Sequence, residues 1–213
     1  MSAAIRLYHC ADARSFRVLW ALEELGLPYE LELMPFPPRF RVEGYKDINP
    51  LGTVPACLIE GRLMTESAAI PHVLATRFGP SDLAVAPDEP DYARYLNFLF
   101  MGEATLTFPQ TIHLRYTRLE PLERRVPQVA VDYAQWFGSR LRNAEPLLQG
   151  DFACAGRFTM ADVSLGYAVM LALSIGLEEQ VTPGMRGYFD RLSQREGFRR
   201  AKAAQAGGEP LPF

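Results

Sequence analysis

The stretch Tyr8-His9-Cys10-Ala11-Asp12-Ala13-Arg14-Ser15 gathers a thiol, hydroxyls, an imidazole, a carboxylate and a guanidinium. A thiol is a nucleophile only as its thiolate, so Cys10 is a candidate for covalent thiol chemistry. Arg14 and Ser15 offer a cation and a hydroxyl donor for an anion. Ala13 provides no second thiol, which excludes a thioredoxin-type dithiol. The plainer roles are a buried inert thiol for Cys10 and a helix N-cap for Ser15. A second locus is Thr65-Glu66-Ser67: Thr65 is placed to cap a helix, and unpaired first-turn N–H groups at the positive end of its dipole suit a carboxylate. His9, His72 and His113 are scattered without metal-site spacing, so no metal is expected.

These residues need elements to hold them. Residues 5–9 form a short apolar strand, and Phe16, Leu19, Leu22 and Leu25 mark one face of a helix over 15–25. Gly26 and Pro28 stop that helix, and 29–33 is a second strand, with a crossover suited to a parallel pair. Runs at 56–59 and 63–65 flank Glu60-Gly61-Arg62 as an antiparallel hairpin. A helix over 66–78 follows, and Pro71 inside it is expected to bend it, because proline cannot donate to the carbonyl of Ser67. The order is βαβ, then ββα.

Residues 79–90 are rich in Gly, Pro and acidic side chains and read as a linker. Helical patterns then occupy 92–116, 126–148, 159–177 and 183–193. Thr159 is an N-cap and Asp162 completes a capping box, both as folding determinants. The tail after Gln205 reads as loosely ordered. The fold expected is an α/β domain over 1–80, a linker over 81–90 and an all-α domain over 91–213.

At 213 residues, 48% hydrophobic and 22% charged, the composition is globular and excludes wholesale disorder and collagen-like repeats. Lys and Arg number 22 against 25 Asp and Glu, a net charge of −3, which gives no drive toward nucleic acid or an anionic membrane. Neither is expected as a partner. The apolar stretch 163–177 is interrupted by serines and shorter than the roughly 18–20 residues of a bilayer span, so it reads as a buried helix. Three widely spaced cysteines, Cys10, Cys57 and Cys154, fit a reducing compartment rather than a disulfide framework, and the N-terminus has no secretory pattern; a cytoplasmic location is expected.

A small βαβ–ββα domain followed by an all-helical one is similar to the cytosolic glutathione transferases. Four motifs carry the resemblance in the family's order. The run from Ser15-Phe16-Arg17 to Gly26-Leu27-Pro28-Tyr29-Glu30 resembles the first helix and second strand of bacterial and fungal members. Asn49-Pro50-Leu51-Gly52-Thr53-Val54-Pro55 resembles the loop before the third strand. Thr65-Glu66-Ser67-Ala68-Ala69-Ile70 resembles the start of the third helix, and Phe158-Thr159-Met160-Ala161-Asp162 the signature of the helical domain.

The resemblance implies a thioredoxin-like N-terminal domain that binds glutathione as co-substrate, and a homodimeric enzyme whose second substrate is a small hydrophobic electrophile. It implies a cis bond before Pro55, main-chain contacts from Val54 to the cysteinyl part of glutathione, and capture of the γ-glutamyl end by Glu66 and Ser67. Phe98, Phe100, Met101, Phe108 and Tyr116 are candidates for the electrophile side or for bundle core. Many relatives carry their catalytic serine where this chain has Ala13, so Ser15, Arg14 and Cys10 are the catalytic candidates, with Tyr8 a weaker hydroxyl. A glutathione-dependent isomerase, dehalogenase or ether-cleaving enzyme would use the same site, and a non-catalytic interaction protein is the alternative from another class.

Overall fold

Ile5–His9 forms β1, whose Ile5, Leu7, Tyr8 and His9 are buried. In a computed structural model describing residues 4–78, 81–148 and 150–211, β1 lies inside a four-stranded sheet of order β2-β1-β3-β4. It runs parallel to β2 (Glu30–Leu33), with Leu7 opposite Leu31, and antiparallel to β3 (Ala56–Ile59), with Tyr8 opposite Ala56. β4 (Arg62–Met64) closes the hairpin, Leu58 facing Leu63. Between β1 and β2, α1 (Phe16–Leu25) buries every residue from Phe16 to Leu22 and ends at Gly26, whose φ of 63° is left-handed and costs a glycine little. The βαβ and ββα halves are as expected. Two one-turn helices, α2 (Pro38–Arg41) and α3 (Tyr45–Ile48), link β2 to β3.

The next helix departs from expectation. α4 spans Ala69–Arg77, its N-cap is Ala68, and Thr65 does not cap it. Pro71 explains the shift. In a first turn its missing N–H is no loss, because those groups have no intrahelical acceptor. The regular helix therefore starts where Pro71 falls in that turn. A bond from the Ile70 N–H to the Glu66 carbonyl (3.0 Å) keeps one turn over 66–70.

The described chain divides into two compact units, residues 4–84 with 193–211, and residues 85–192. The expected second domain over 91–213 did not anticipate that the chain's end belongs with the first unit. There, α10 (Glu196–Ala204) packs on α1. The Phe198 ring meets Trp20 edge-on at 5.0 Å and Phe16 at 5.4 Å, and Arg195 donates two hydrogen bonds to the Glu24 carboxylate at 2.8 and 2.9 Å. A Cβ on Gly197 would stand 2.5 Å from the Glu24 carboxyl carbon, so a larger residue there would have to displace that side chain.

The second unit is helical. α5 (Tyr92–Phe100) continues through a π-helical segment, Met101–Thr107, into α6 (Phe108–Leu114) and a second π-helical segment, Arg115–Leu119. α7 (Pro127–Ala144), α8 (Met160–Ser174) and α9 (Pro183–Ser193) complete it. α8 is buried from Met160 through Ala172, as its continuous apolar run requires. Phe98 is core, whereas Phe100 and Phe108 are exposed. Among the described residues no helix is long and apolar enough to cross a membrane.

The capping box at the start of α8 forms as expected. The Ala161 N–H donates to Thr159 Oγ1 (3.3 Å) and the Thr159 N–H to Asp162 Oδ2 (2.8 Å). Asp162 Oδ1 also accepts from the Ala153 N–H (2.8 Å) and the Tyr188 hydroxyl (2.7 Å). Thr159→Ala is expected to cost about 1 kcal/mol. Asp162→Ala strands three buried donors and is expected to cost at least about 3 kcal/mol. Urea unfolding of both variants measures the difference, and equal losses would reduce Asp162 to a simple cap.

Candidate functional site

The register that sets Tyr8 opposite Ala56 brings the chain leaving β1 beside the chain entering β3. Cys10, Ala13 and Val54 consequently pack in one apolar cluster with Tyr8, Met34, Tyr45 and Ala56. The loop ahead of β3 is braced by buried Asn49, whose Nδ2 donates to the Thr53 carbonyl at 2.8 Å while its Oδ1 accepts from the Leu51 N–H at 3.1 Å. The Tyr45 hydroxyl donates to the same Thr53 carbonyl at 2.6 Å. Held this way, the Val54–Pro55 bond is cis, as the resemblance implied. The N–H and C=O of Val54 have no hydrogen-bond partner among the described residues.

The Thr65-Glu66-Ser67 locus joins through a residue whose role the sequence reading missed. Arg17, on the buried face of α1, is fully inaccessible, and its Nη1 donates to Ser67 Oγ at 3.0 Å. Arginine has donors only, so Ser67 Oγ accepts and retains its own proton for another group. Glu66 beside it is exposed. The available signal was an arginine flanked by Phe16 and Val18 on an apolar helix face, where a buried cation requires a partner.

The catalytic candidates separate. Cys10 is buried, its Sγ 3.7 Å from the Pro35 carbonyl, and burial pushes its pKa up to about 12. That environment opposes the thiolate, which removes Cys10 as a nucleophile in favour of the inert thiol. Ser15 holds the N-cap position of α1 without a side-chain capping bond and is fully buried. Its Oγ lies 2.7 Å from Nδ1 of His9, which is also fully buried. Arg14 is half-buried at the same turn. Val54 thus packs with Cys10 and Ala13 ahead of α1, Ser67 is tied to α1 through Arg17, Ser15 is turned inward and Glu66 lies at the surface.

The glutathione S-transferase N-terminal domain family matches residues 13–77. Glutathione S-transferase 3 of Schizosaccharomyces pombe is 35% identical over 107 residues, which are 48% of this chain and 42% of that relative, so the match spans less than half of its length. Glutathione S-transferase 1 of Saccharomyces cerevisiae is 26% identical, over 81% of this chain and 82% of the relative. The same fold occurs in the glutathione transferase Ure2p6 of Phanerochaete chrysosporium, solved with oxidized glutathione: the TM-score is 0.83 at 23% identity, covering 96% of this chain and 97% of that one. Ure2p5 of the same fungus, cocrystallized with 1-(S-glutathionyl)-2,4-dinitrobenzene, gives a TM-score of 0.82 at 19% identity, over 97% of this chain and 96% of that one.

Burial pushes the His9 pKa down to about 4. Unfolded, His9 takes a proton as pH falls through about 6.5; folded, it does so only near 4. Between those values the unfolded state binds more protons, so stability falls as pH falls, by up to about 3 kcal/mol from this side chain at 1.36 kcal/mol per unit. Urea midpoints measured from pH 7 to pH 4 should fall less steeply for His9→Gln than for the unaltered protein. Parallel slopes would contradict a buried neutral imidazole.

Proposed function

We propose that the chain, whose residues 13–77 match the glutathione S-transferase N-terminal domain family, binds glutathione at the N-terminal end of α1 and activates the thiol for attack on a small hydrophobic electrophile. The reading is supported by a Val54 main chain without a hydrogen-bond partner among the described residues, beside a cis proline, together with a Ser67 hydroxyl tied to α1 by Arg17. An extended peptide bonds to a free N–H and C=O pair as it would to a strand edge, which suits the cysteinyl part of glutathione. Ser67 keeps a proton to donate, and with its own N–H it holds the α-carboxylate, while Glu66 faces the α-amino group.

A free thiol has a pKa near 8.5, and the thiolate is the nucleophile. Cys10 takes no part, and the Ser15 hydroxyl faces His9. Thiolate stabilisation is assigned to Arg14 and to the Ser15 N–H, which no described residue accepts, at the positive end of α1. The sulfur then forms a bond to the electrophilic carbon, and the leaving group departs with its electron pair. A homodimeric, cytoplasmic enzyme is part of this reading and rests on the family alone. Isomerase, dehalogenase or ether-cleaving chemistry would use the same activated thiolate.

Ultraviolet difference titration of bound glutathione, with calorimetry for binding, tests the proposal. The expected result is a thiol pKa at least about one unit below the free value, equivalent to about 1.4 kcal/mol of anion stabilisation. Ser67→Ala should weaken glutathione binding about tenfold, and Cys10→Ala should leave turnover unchanged. Binding with an unshifted pKa would overturn the enzyme reading in favour of a non-catalytic scaffold, and no binding would overturn both.

A further inference from the structure

A line of polar side chains joins the loop after β1 to the segment that follows α10, at opposite ends of the chain. Lys202 Nζ lies 2.6 Å from Asp12 Oδ1, and Gln205 Nε2 donates to the same oxygen at 2.6 Å. The Asp12 N–H donates to Gln205 Oε1 at 3.1 Å, and that oxygen stands 2.9 Å from His9 Nε2. His9 Nδ1 is 2.7 Å from Ser15 Oγ. His9, Ser15 and Gln205 are all buried. None of this is used in the binding contacts proposed above.

We propose that Gln205 is a positioning residue that fixes His9 as the Nε2-protonated tautomer and thereby commits the hydroxyl proton of Ser15 to His9 Nδ1. The donor and acceptor inventory carries the argument. A carboxylate oxygen accepts only, so the Gln205 amide nitrogen faces Asp12 Oδ1. A main-chain N–H donates only, so the Gln205 oxygen faces the Asp12 N–H. That oxygen is then what His9 Nε2 meets, and Nε2 must carry the hydrogen. A neutral imidazole has one N–H, so Nδ1 accepts and Ser15 Oγ–H donates. The charged groups facing this ring are Asp12 and Lys202, paired with each other, and the burial of His9 favours the neutral form. Lys202 also lies 5.5 Å over the Phe16 ring, anchoring the same segment to α1.

The consequence for catalysis rests on the reading given under Proposed function. With its proton committed inward, Ser15 is not a donor to a bound sulfur. Its place in the mechanism is to hold the turn that carries Arg14 and the Ser15 N–H. The C-terminal segment thus sets the geometry of the thiolate end of the site and leaves the Val54 and Ser67 contacts alone.

Nitrogen-15 NMR of the His9 ring in the full-length protein, recorded without glutathione, tests the tautomer directly. Nε2 should be protonated and Nδ1 bare at pH 7. Gln205→Ala should let the two tautomers exchange. With glutathione and a model electrophile, Gln205→Ala should lower kcat about tenfold or more while KM for glutathione changes less than about twofold, as expected of lost positioning. Arg195→Gln, which loosens the same segment from Glu24, should leave the His9 signals and kcat unchanged. Protonation at Nδ1, an unaltered His9 pattern in Gln205→Ala, or the same effect from Arg195→Gln would overturn the proposal. If the unaltered protein failed to bind glutathione, the reading under Proposed function would fall, while the NMR comparison would still decide the role of Gln205.

Discussion

A guanidinium taken fully out of water must be satisfied by polar atoms within reach, and in this protein that requirement falls on Arg17. Its position is set by α1, which buries its whole first half against the sheet and α4. One of its partners is the Ser67 hydroxyl, fifty residues further along. Meeting that need draws the turn before α4 toward the start of α1. The same start lies beside the Val54–Pro55 bond, because β1 and β3 are paired in register. Three separate stretches of sequence thus converge at the start of α1. The site follows from pairing a buried charge and a strand ladder.

Polar burial of a second kind shapes the turn between β1 and α1. Cys10, His9 and Ser15 are all inaccessible, yet they answer burial differently. The thiol tolerates an apolar setting as a small hydrophobe and loses its reactivity there. The imidazole and hydroxyl bond to each other and, through Gln205, to Asp12. Residue types that look reactive in a string of letters become, once buried, either inert or internal to a hydrogen-bonded frame.

What could be read from the sequence was local. β1, the stop at Gly26, the hairpin about Glu60-Gly61-Arg62, the continuous burial of α8 and its capping box all depend on residues within a few positions of one another. The start of α4 was misjudged because Pro71 was treated as a flaw inside a helix rather than as a marker of its first turn. α2 and α3 are a single turn each and leave no period to detect. α10 escaped notice because its apolar contribution rests chiefly on Phe198 and Ala201, and its docking depends on partners in α1. In the candidate site, Val54, Pro55 and Ser67 are named from motif order alone. The bond between His9 and Gln205 spans 196 positions, and nothing near either residue announces the other.

The discontinuous make-up of the first unit bears on how the protein is made. Its sheet and α1 are synthesised first, but Phe198, Arg195, Lys202 and Gln205, which cover α1 and brace the turn beside it, follow only after the whole second unit. Domains synthesised early usually fold as units while synthesis continues; here the early unit must wait, its Phe16 and Trp20 face uncovered, while the whole helical bundle is translated. Completion of the N-terminal half therefore waits until the second unit has been translated, and a stop codon directly after that unit would leave the first one unfinished.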